Sequence, residues 1–269
     1  QWPSNNLIVN CEAHDNKDPD NEDADGFAAK LTSGTGNIFR NCVAHHNIDD
    51  GWDLFTKTDT GPIGAVLIEN CIAHSNGRLS DGTTSGNGDK NGFKLGGEDI
   101  AVDHIVRRSI AFNNGKHGFT FNRNTGTIQM TNNTAFNNVE RNFNFDGGTS
   151  RFTNNLSYYT STHTNDRIIG TQVGTSNAFW VSNASANFTV TAADFASLTP
   201  GPNANPTSNG FLNLASGSDL INAGNSVSGI TFNGSAPDIG AIEFGGITVP
   251  RHTLTVNVTP SGGGTVTRN

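Results

Sequence analysis

Asn41-Cys42-Val43-Ala44-His45-His46-Asn47 decides the fold, because the chain carries this run three times almost unchanged and then lets it degrade in step. The other full copies are Asn10-Cys11-Glu12-Ala13-His14-Asp15-Asn16 and Asn70-Cys71-Ile72-Ala73-His74-Ser75-Asn76. Arg108-Ser109-Ile110-Ala111-Phe112-Asn113-Asn114, Asn132-Asn133-Thr134-Ala135-Phe136-Asn137-Asn138 and the fainter Asn154-Asn155-Leu156-Ser157-Tyr158 continue it. From Cys11 the column recurs after 31, 29, 38, 24 and 22 residues. Each period holds two or three short runs rich in Val, Ile and Phe, parted by Gly, Asn, Asp and Thr, which reads as strands joined by turns. Fixed motifs at unequal periods mean a constant cross-section with loops of variable length. That is an all-β parallel β-helix, a solenoid, rather than a propeller or a leucine-rich horseshoe. Coils stacked about 4.8 Å apart pile like side chains into ladders: Cys11/Cys42/Cys71, Ala13/Ala44/Ala73/Ala111/Ala135 and Asn16/Asn47/Asn76/Asn114/Asn138. The asparagines are expected to bond one another and the turn backbone.

Composition agrees with this reading. The 269 residues include 33% hydrophobic positions, 32 glycines and one Met. Such a chain is too polar for a compact α/β enzyme and ordinary for coils around a narrow core. A formal net charge of −8 leaves no expectation of a nucleic-acid partner. No apolar run approaches the roughly 18 residues of a membrane span. The chain opens at Gln1-Trp2-Pro3 almost inside a repeat, so an N-terminally truncated solenoid is expected, its earlier coils and any signal peptide cut away. The three cysteines share one inward column and are expected to be buried free thiols, not a disulfide or a metal cluster.

Three regions follow. Residues 1–160 hold the coils and the chemically distinctive positions. Residues 161–245 are expected to form the last coils and a C-terminal cap over the final sheet edge. There Asn187-Phe188-Thr189-Val190 reads as a strand and a short helix begins near Thr191, followed by Phe211–Ala215, Asp219–Gly224 and Pro237–Phe244. Residues 246–269 read as a linker and the first strands of a truncated β-rich module, with Thr253–Val258 alternating and Gly262-Gly263-Gly264 turning.

A second frame runs in phase with the first: Asp25-Gly26-Phe27-Ala28, Asp50-Gly51-Trp52-Asp53, Asn91-Gly92-Phe93-Lys94, His117-Gly118-Phe119-Thr120 and Arg141-Asn142-Phe143-Asn144. The aromatic hardly changes while its neighbours switch from acid to base to neutral. Asp25 and Asp50 fill one slot a coil apart, and Asp49 and Asp53 flank the second, so four carboxylates should converge. Calcium, which takes six to eight oxygens, explains that convergence best; the alternative is a set of turn-forming aspartates on a solvated edge. The acidic run Asn16–Asp23 lacks the central glycine and terminal Glu of a calcium loop and reads as a charged rim loop. His14, His45 and His74 share a column that becomes Phe112, Phe136 and Tyr158, which favours packing over zinc. Lys94 should lie beside Asp53 on the outward face, with Lys30 and Lys57 sharing that face as a basic row. An ordinary cross-strand ion pair between Asp53 and Lys94 is the alternative.

The runs Asp25-Gly26-Phe27, Asn47-Ile48-Asp49-Asp50-Gly51-Trp52-Asp53-Leu54 and Asn91-Gly92-Phe93-Lys94-Leu95-Gly96-Gly97 resemble the family 9 polysaccharide lyases, right-handed parallel β-helix enzymes that act as pectate lyases. The resemblance covers roughly residues 5–160, and Asp219–Gly224 with Pro237–Phe244 resembles the end of many such lyases. It implies one Ca2+ held by Asp25, Asp49, Asp50 and Asp53, with Lys94 as the Brønsted base. Lys30 and Lys57 are then expected to bind substrate. The implied partner is an acidic polysaccharide, polygalacturonate or pectin, cleaved by β-elimination to 4,5-unsaturated oligogalacturonides. A secreted or cell-surface bacterial protein acting as a monomer is expected. Two other classes stay open: a β-helical glycoside hydrolase using paired carboxylates, and a non-catalytic, calcium-stabilised carbohydrate-binding or adhesin solenoid.

Overall fold

A computed structural model describes residues 3–181 and 188–246. Six coils stack in register. The first is built from β1 (Leu7–Val9), β2 (Glu12–His14) and β3 (Phe27–Ala28), the second from β4 (Asn37–Arg40), β5 (Val43–His45) and β6 (Trp52–Asp53). The third holds β7 (Val66–Glu69), β8 (Ile72–His74) and β9 (Phe93–Lys94), the fourth β10 (Ile105–Arg107), β11 (Ile110–Phe112) and β12 (His117–Thr120). The fifth holds β13 (Gln129–Thr131), β14 (Thr134–Phe136) and β15 (Arg141–Phe145), the sixth β16 (Arg151–Thr153), β17 (Leu156–Tyr158) and β18 (Arg167–Ile168), and β19 (Thr171–Gln172) follows. Every pairing between these strands is parallel, and the coils build one seven-stranded and two six-stranded sheets.

The repeat motif is explained by backbone conformation. Between the first two strands of each coil one residue turns the chain through the left-handed region, with φ of 51–57° at Asn10, Asn41, Asn70, Arg108, Asn132 and Asn154. Asparagine tolerates that conformation better than other side chains, which accounts for its recurrence before the cysteine column. Past the second strand the expected asparagine ladder forms. Asn16 Nδ2 donates to Asn47 Oδ1 (2.7 Å), Asn47 to Asn76 (2.9 Å), Asn76 to Asn114 (2.8 Å) and Asn114 to Asn138 (2.8 Å). The Asn47, Asn76, Asn114 and Asn138 amides also reach backbone, as when Asn76 Nδ2 donates to Ala44 O at 3.3 Å. Breaking a rung would leave buried polar atoms unpaired, at about 1–3 kcal/mol each.

The glycine of the second frame exists to make room for this ladder. A Cβ at Gly51 would lie 2.8 Å from Asn76 Nδ2 and 2.6 Å from Gly92 O. In the fifth coil Asn142 takes the glycine slot, and its own Oδ1 accepts the last rung, from Asn138 Nδ2 at 2.8 Å. Beside it runs the aromatic stack: Phe27, Trp52, Phe93, Phe119 and Phe143 lie 4.8, 4.8, 4.8 and 5.1 Å apart between ring centroids. Phe179 closes the stack edge-on against Phe143. The histidine column is a packing column as expected, His14, His45, His74 and Phe112 being stacked at 4.9, 4.9 and 4.6 Å.

Several expectations need correction. Cys42 and Cys71 are buried free thiols, but Cys11 is exposed, because no coil among the described residues stacks on the outer side of the first one. Phe188–Val190 form no strand; the helix near Thr191 is a single 3-10 turn, Ala192–Asp194, with a capping box from Thr191 and Asp194. Asn187 and the strand expected over Thr253–Val258 lie outside the described residues. The segment expected as a cap runs along the outer flank of the second sheet. Phe211 packs edge-on against Phe112 and Phe136, Asn203 O meets His74 Nε2 (3.0 Å), and Asn132 Nδ2 donates to Asp238 O (2.9 Å). The flank is apolar there, since Ile110, Phe112, Phe136, Leu156 and Tyr158 point outwards into one cluster with Phe195, Leu214 and Ile239.

Two predictions arise here. With native protein, one thiol of three should react quickly with a soluble disulfide reagent, and all three after denaturation; fewer than three would mean a covalent bond. The second concerns His104, whose Nδ1 accepts the Val66 N–H at 3.1 Å inside the core. Burial depresses its imidazole from 6.5 to about 3. The unfolded chain therefore takes up a proton that the folded chain refuses. This stabilisation is complete above pH 6.5 and is lost as pH falls from there toward 3, a difference on the order of a few kcal/mol. In denaturant titrations His104→Asn should be less stable than the parent at pH 7 yet lose less stability between pH 6.5 and 4. Parallel pH profiles would refute the assignment.

Candidate active site

The third sheet carries the chemistry. Its inward positions are the aromatic stack, so by strand alternation Ala28, Asp53, Lys94, Thr120 and Asn144 form the opposite column, in register. Three residues earlier, Asp25, Asp50, Asn91 and His117 form a second column that is tied together by backbone amides. Asp50 N–H donates to Asp25 Oδ1 (3.3 Å), Asn91 N–H to Asp50 Oδ1 (2.7 Å) and His117 N–H to Asn91 Oδ1 (3.3 Å).

These two columns bring Asp25, Asp50 and Asp53 together, with one carboxylate oxygen of each within 4.8 Å of the others. No other such group of His, Cys, Asp or Glu occurs among the described residues. Asp50 is completely buried and Asp53 nearly so. Burial raises the Asp25 carboxyl from 3.8 to about 7, with repulsion from Asp53 adding to it. Burial likewise raises Asp50, assisted by Asp49. Asp53 Oδ1 and Asp50 Oδ2 are buried without a hydrogen bond, although Asp50 Oδ2 lies 3.3 Å from Lys94 Nζ, within ion-pair range. A cluster of hard oxygen donors with lone pairs left over fits a hard cation such as calcium, and the absence of nitrogen and sulfur donors argues against a softer metal.

Asp49 stands apart from that trio. Its Oδ1 accepts the backbone N–H groups of Asp89 and Lys90, the latter at 3.1 Å, and burial raises its carboxyl. These amides belong to the long third-coil loop, residues 77–90, which folds back over the cluster. The loop is fastened to the first coil by Ser80 N–H on Asp15 Oδ1 (2.8 Å) and Gly86 N–H on Asn21 O (2.9 Å). Gly88 is needed for the approach: a Cβ there would lie 2.8 Å from Asp49 Oδ1 and 2.9 Å from Glu22 O. The charged rim loop is folded on itself, Asp18 accepting the amides of Asp20, Glu22 and Asp23.

Lys94 lies where its column places it, in register with Asp53. Its Nζ is 2.9 Å from Asp89, 3.3 Å from Asp50 and 3.8 Å from Asp53, and sits over the Phe55 ring. Burial disfavours the ammonium, but Asp50, Asp53 and Asp89 together outweigh it and hold Lys94 above its ordinary 10.5. Asp89 stays below the usual carboxylate range despite burial, because Lys94 and Lys116 both pair with it. Sequence reading missed Asp89 and Lys116. The available signal was the 38-residue period, the longest of the set, which marks the coil whose loop can return to the site.

Lys30 joins the cluster, with Nζ 2.7 Å from Asp25 Oδ2 and 2.8 Å from Asp53 Oδ2. Lys57 does not. The Lys57–Gly61 turn, closed by Gly61 N–H on Lys57 O at 2.8 Å, takes the chain out of the sheet before strand alternation can reach that residue. Its side chain is exposed and makes no ion pair among the described residues.

Comparison with known proteins places this arrangement. The chain is 54% identical over 232 residues to pectate lyase L of Paenibacillus polymyxa (strain SC2), covering 83% of this chain and 51% of that protein. It is 61% identical over 145 residues to pectate lyase L of Thermoclostridium stercorarium, covering 54% of this chain and 12% of that one. It thus spans about half the length of the first and a small part of the second. Among solved structures, the crystal structure of pectate lyase Pel9A superposes with a TM-score of 0.76 at 33% identity, covering 90% of this chain and 60% of that one. Residues 1–165, which contain both site columns and the loop over them, match the family model for the Pel9A-like right handed beta helix region. The chain belongs to that family, the right-handed parallel β-helices of the family 9 polysaccharide lyases.

Proposed function

We propose that the protein is a calcium-dependent pectate lyase, cleaving polygalacturonate by β-elimination. The observation that carries this reading is the convergence of Asp25, Asp50 and Asp53 with Lys94, one coil along on the same sheet. Asp25, Asp50 and Asp53 are the proposed ligands, with Asp49 as the fourth carboxylate through Oδ2, the oxygen that the loop amides leave free. Calcium held there would neutralise the carboxylates, join the polyanionic substrate to an acidic protein and withdraw electron density from the uronate being cleaved. Lys94, once its neighbouring carboxylates no longer stabilise the ammonium, takes the proton from C5 of the sugar. The C5 electron pair then closes the 4,5 double bond as the C4–O bond breaks, and the leaving oxygen takes up a proton from solvent, to which Lys94 later gives its own; no water is consumed. Asp89 anchors Lys94 from the loop, and Lys116 pairs with Asp89. Pectate lyase names among the relatives support the substrate class. A polymeric substrate of this class calls for a secreted or cell-surface protein, and no helix among the described residues is long and apolar enough to cross a membrane.

A hydrolase is the weaker reading, because Asp50 is fully buried and such a pair has no use for Asp25 or Lys94. A purely structural calcium site would not require a buried lysine against the carboxylates.

Incubation with polygalacturonate, following ultraviolet absorbance of the unsaturated product, tests the whole reading. Activity should vanish in excess chelator and return with calcium, and Asp53→Asn should weaken calcium binding measured calorimetrically by more than about tenfold. Full turnover in chelator would refute the metal assignment. Lys94→Ala should lower kcat by at least about 100-fold, in the range a general base supplies, while the fold and calcium binding are kept. Lys94→Arg should not rescue, since guanidinium stays protonated. Retention of more than about a tenth of turnover in Lys94→Ala would assign proton removal to another group.

A further inference from the structure

Lys30 contacts the same carboxylates that a calcium ion would use. Its ammonium lies 2.7 Å from Asp25 Oδ2 and 2.8 Å from Asp53 Oδ2, bridging two coils at the point where their lone pairs meet. Calcium takes such oxygens at about 2.3–2.6 Å, so an ion on the same pair would lie against the ammonium and be repelled by it. The two lysines of the cluster differ in their freedom. Lys94 is 10% exposed and anchored from outside the trio by Asp89 at 2.9 Å. Lys30 is 29% exposed, and its only ion-pair partners among the described residues are Asp25 and Asp53, each 3% exposed. Its main chain is fixed, with Leu31 N–H on Phe55 O (2.9 Å) and Thr32 N–H on Lys30 O (2.8 Å). The side chain is therefore the part that can move. The register also sets Ala28 beside Asp53, so only a methyl occupies that column position in the first coil.

We infer that Lys30 is an internal counter-cation of the acidic cluster, bridging Asp25 and Asp53 when no metal is bound and swinging out when calcium enters. This rests on the calcium reading above and adds a role for Lys30 to it. Without such a cation, four neighbouring buried carboxylates would repel one another and destabilise the metal-free fold. With it, the empty site is stable, and calcium affinity is set by competition with a tethered amine.

The test combines calorimetric calcium titration, thermal melts and amine labelling. Lys30→Met should bind calcium at least about tenfold tighter than the parent, because the competing cation is gone. It should melt lower than the parent in chelator and at the same temperature in saturating calcium; a variant that folds only with calcium is the limit of the same effect. Lys30→Arg keeps the charge and should bind calcium like the parent. In the unaltered chain, acylation of the Lys30 amine, read by mass spectrometry, should rise several-fold when calcium is added. Calcium binding to Lys30→Met no tighter than to the parent, or labelling unchanged by calcium, overturns the inference while leaving the metal site standing. A parent chain that takes up no calcium overturns the metal reading itself.

Discussion

Parallel pairing between coils is the constraint on which everything else depends. Each strand here is two to five residues long and has no hydrogen-bonding partner within its own coil, so its backbone groups are satisfied only by the coils before and after. That spacing of about 4.8 Å converts sequence repetition into physical contact. Identical residues a period apart become neighbours, and any residue type that tolerates its own copy at that distance forms a ladder. Asparagine donates and accepts at once, and flat aromatics stack. A column of carboxylates is the exception, because like charges at that distance repel.

The site grows out of that exception. The scaffold can stack Asn91 on His117 at no electrostatic cost, but stacking Asp25 on Asp50 beside Asp53 concentrates negative charge that burial makes worse. Cations must accompany it. The fold supplies Lys30 from the first coil and Lys94 from the third, on either side of the trio. The proposed base and the proposed metal site are therefore built from one electrostatic problem, and the charge state of each depends on the other.

Much of this was legible in the sequence because a solenoid makes columns readable without knowing loop paths. The Asn-x-x-Ala frame gave the ladders, the Gly-aromatic frame gave the third sheet, and the departures from the latter named Asp25, Asp50, Asp53 and Lys94. Reading failed where the argument left the columns. Lys57 was extended along a strand that ends before it, and Asp89 sits in a loop whose return path no periodicity encodes. The flank position of residues 195–244 was hidden for a related reason. The outward Ile110, Phe112, Phe136 and Tyr158 look like core residues in a sequence, and only the three-dimensional arrangement separates the two apolar clusters.

That flanking segment changes the mechanics of the solenoid. In a stack where each repeat touches only its neighbours, unfolding can peel from an end one coil at a time. Here residues 203–240 fasten to His74 in the third coil, Arg108 in the fourth, Asn132 in the fifth and Asn154 in the sixth. Peeling the last coil means first detaching a strap that is also anchored three rungs earlier, so coils that would otherwise melt in sequence are held to a common fate. The anchor at His74 lies in the coil that contributes Lys94. Fraying at the far end is thereby kept from loosening the strand that carries Lys94.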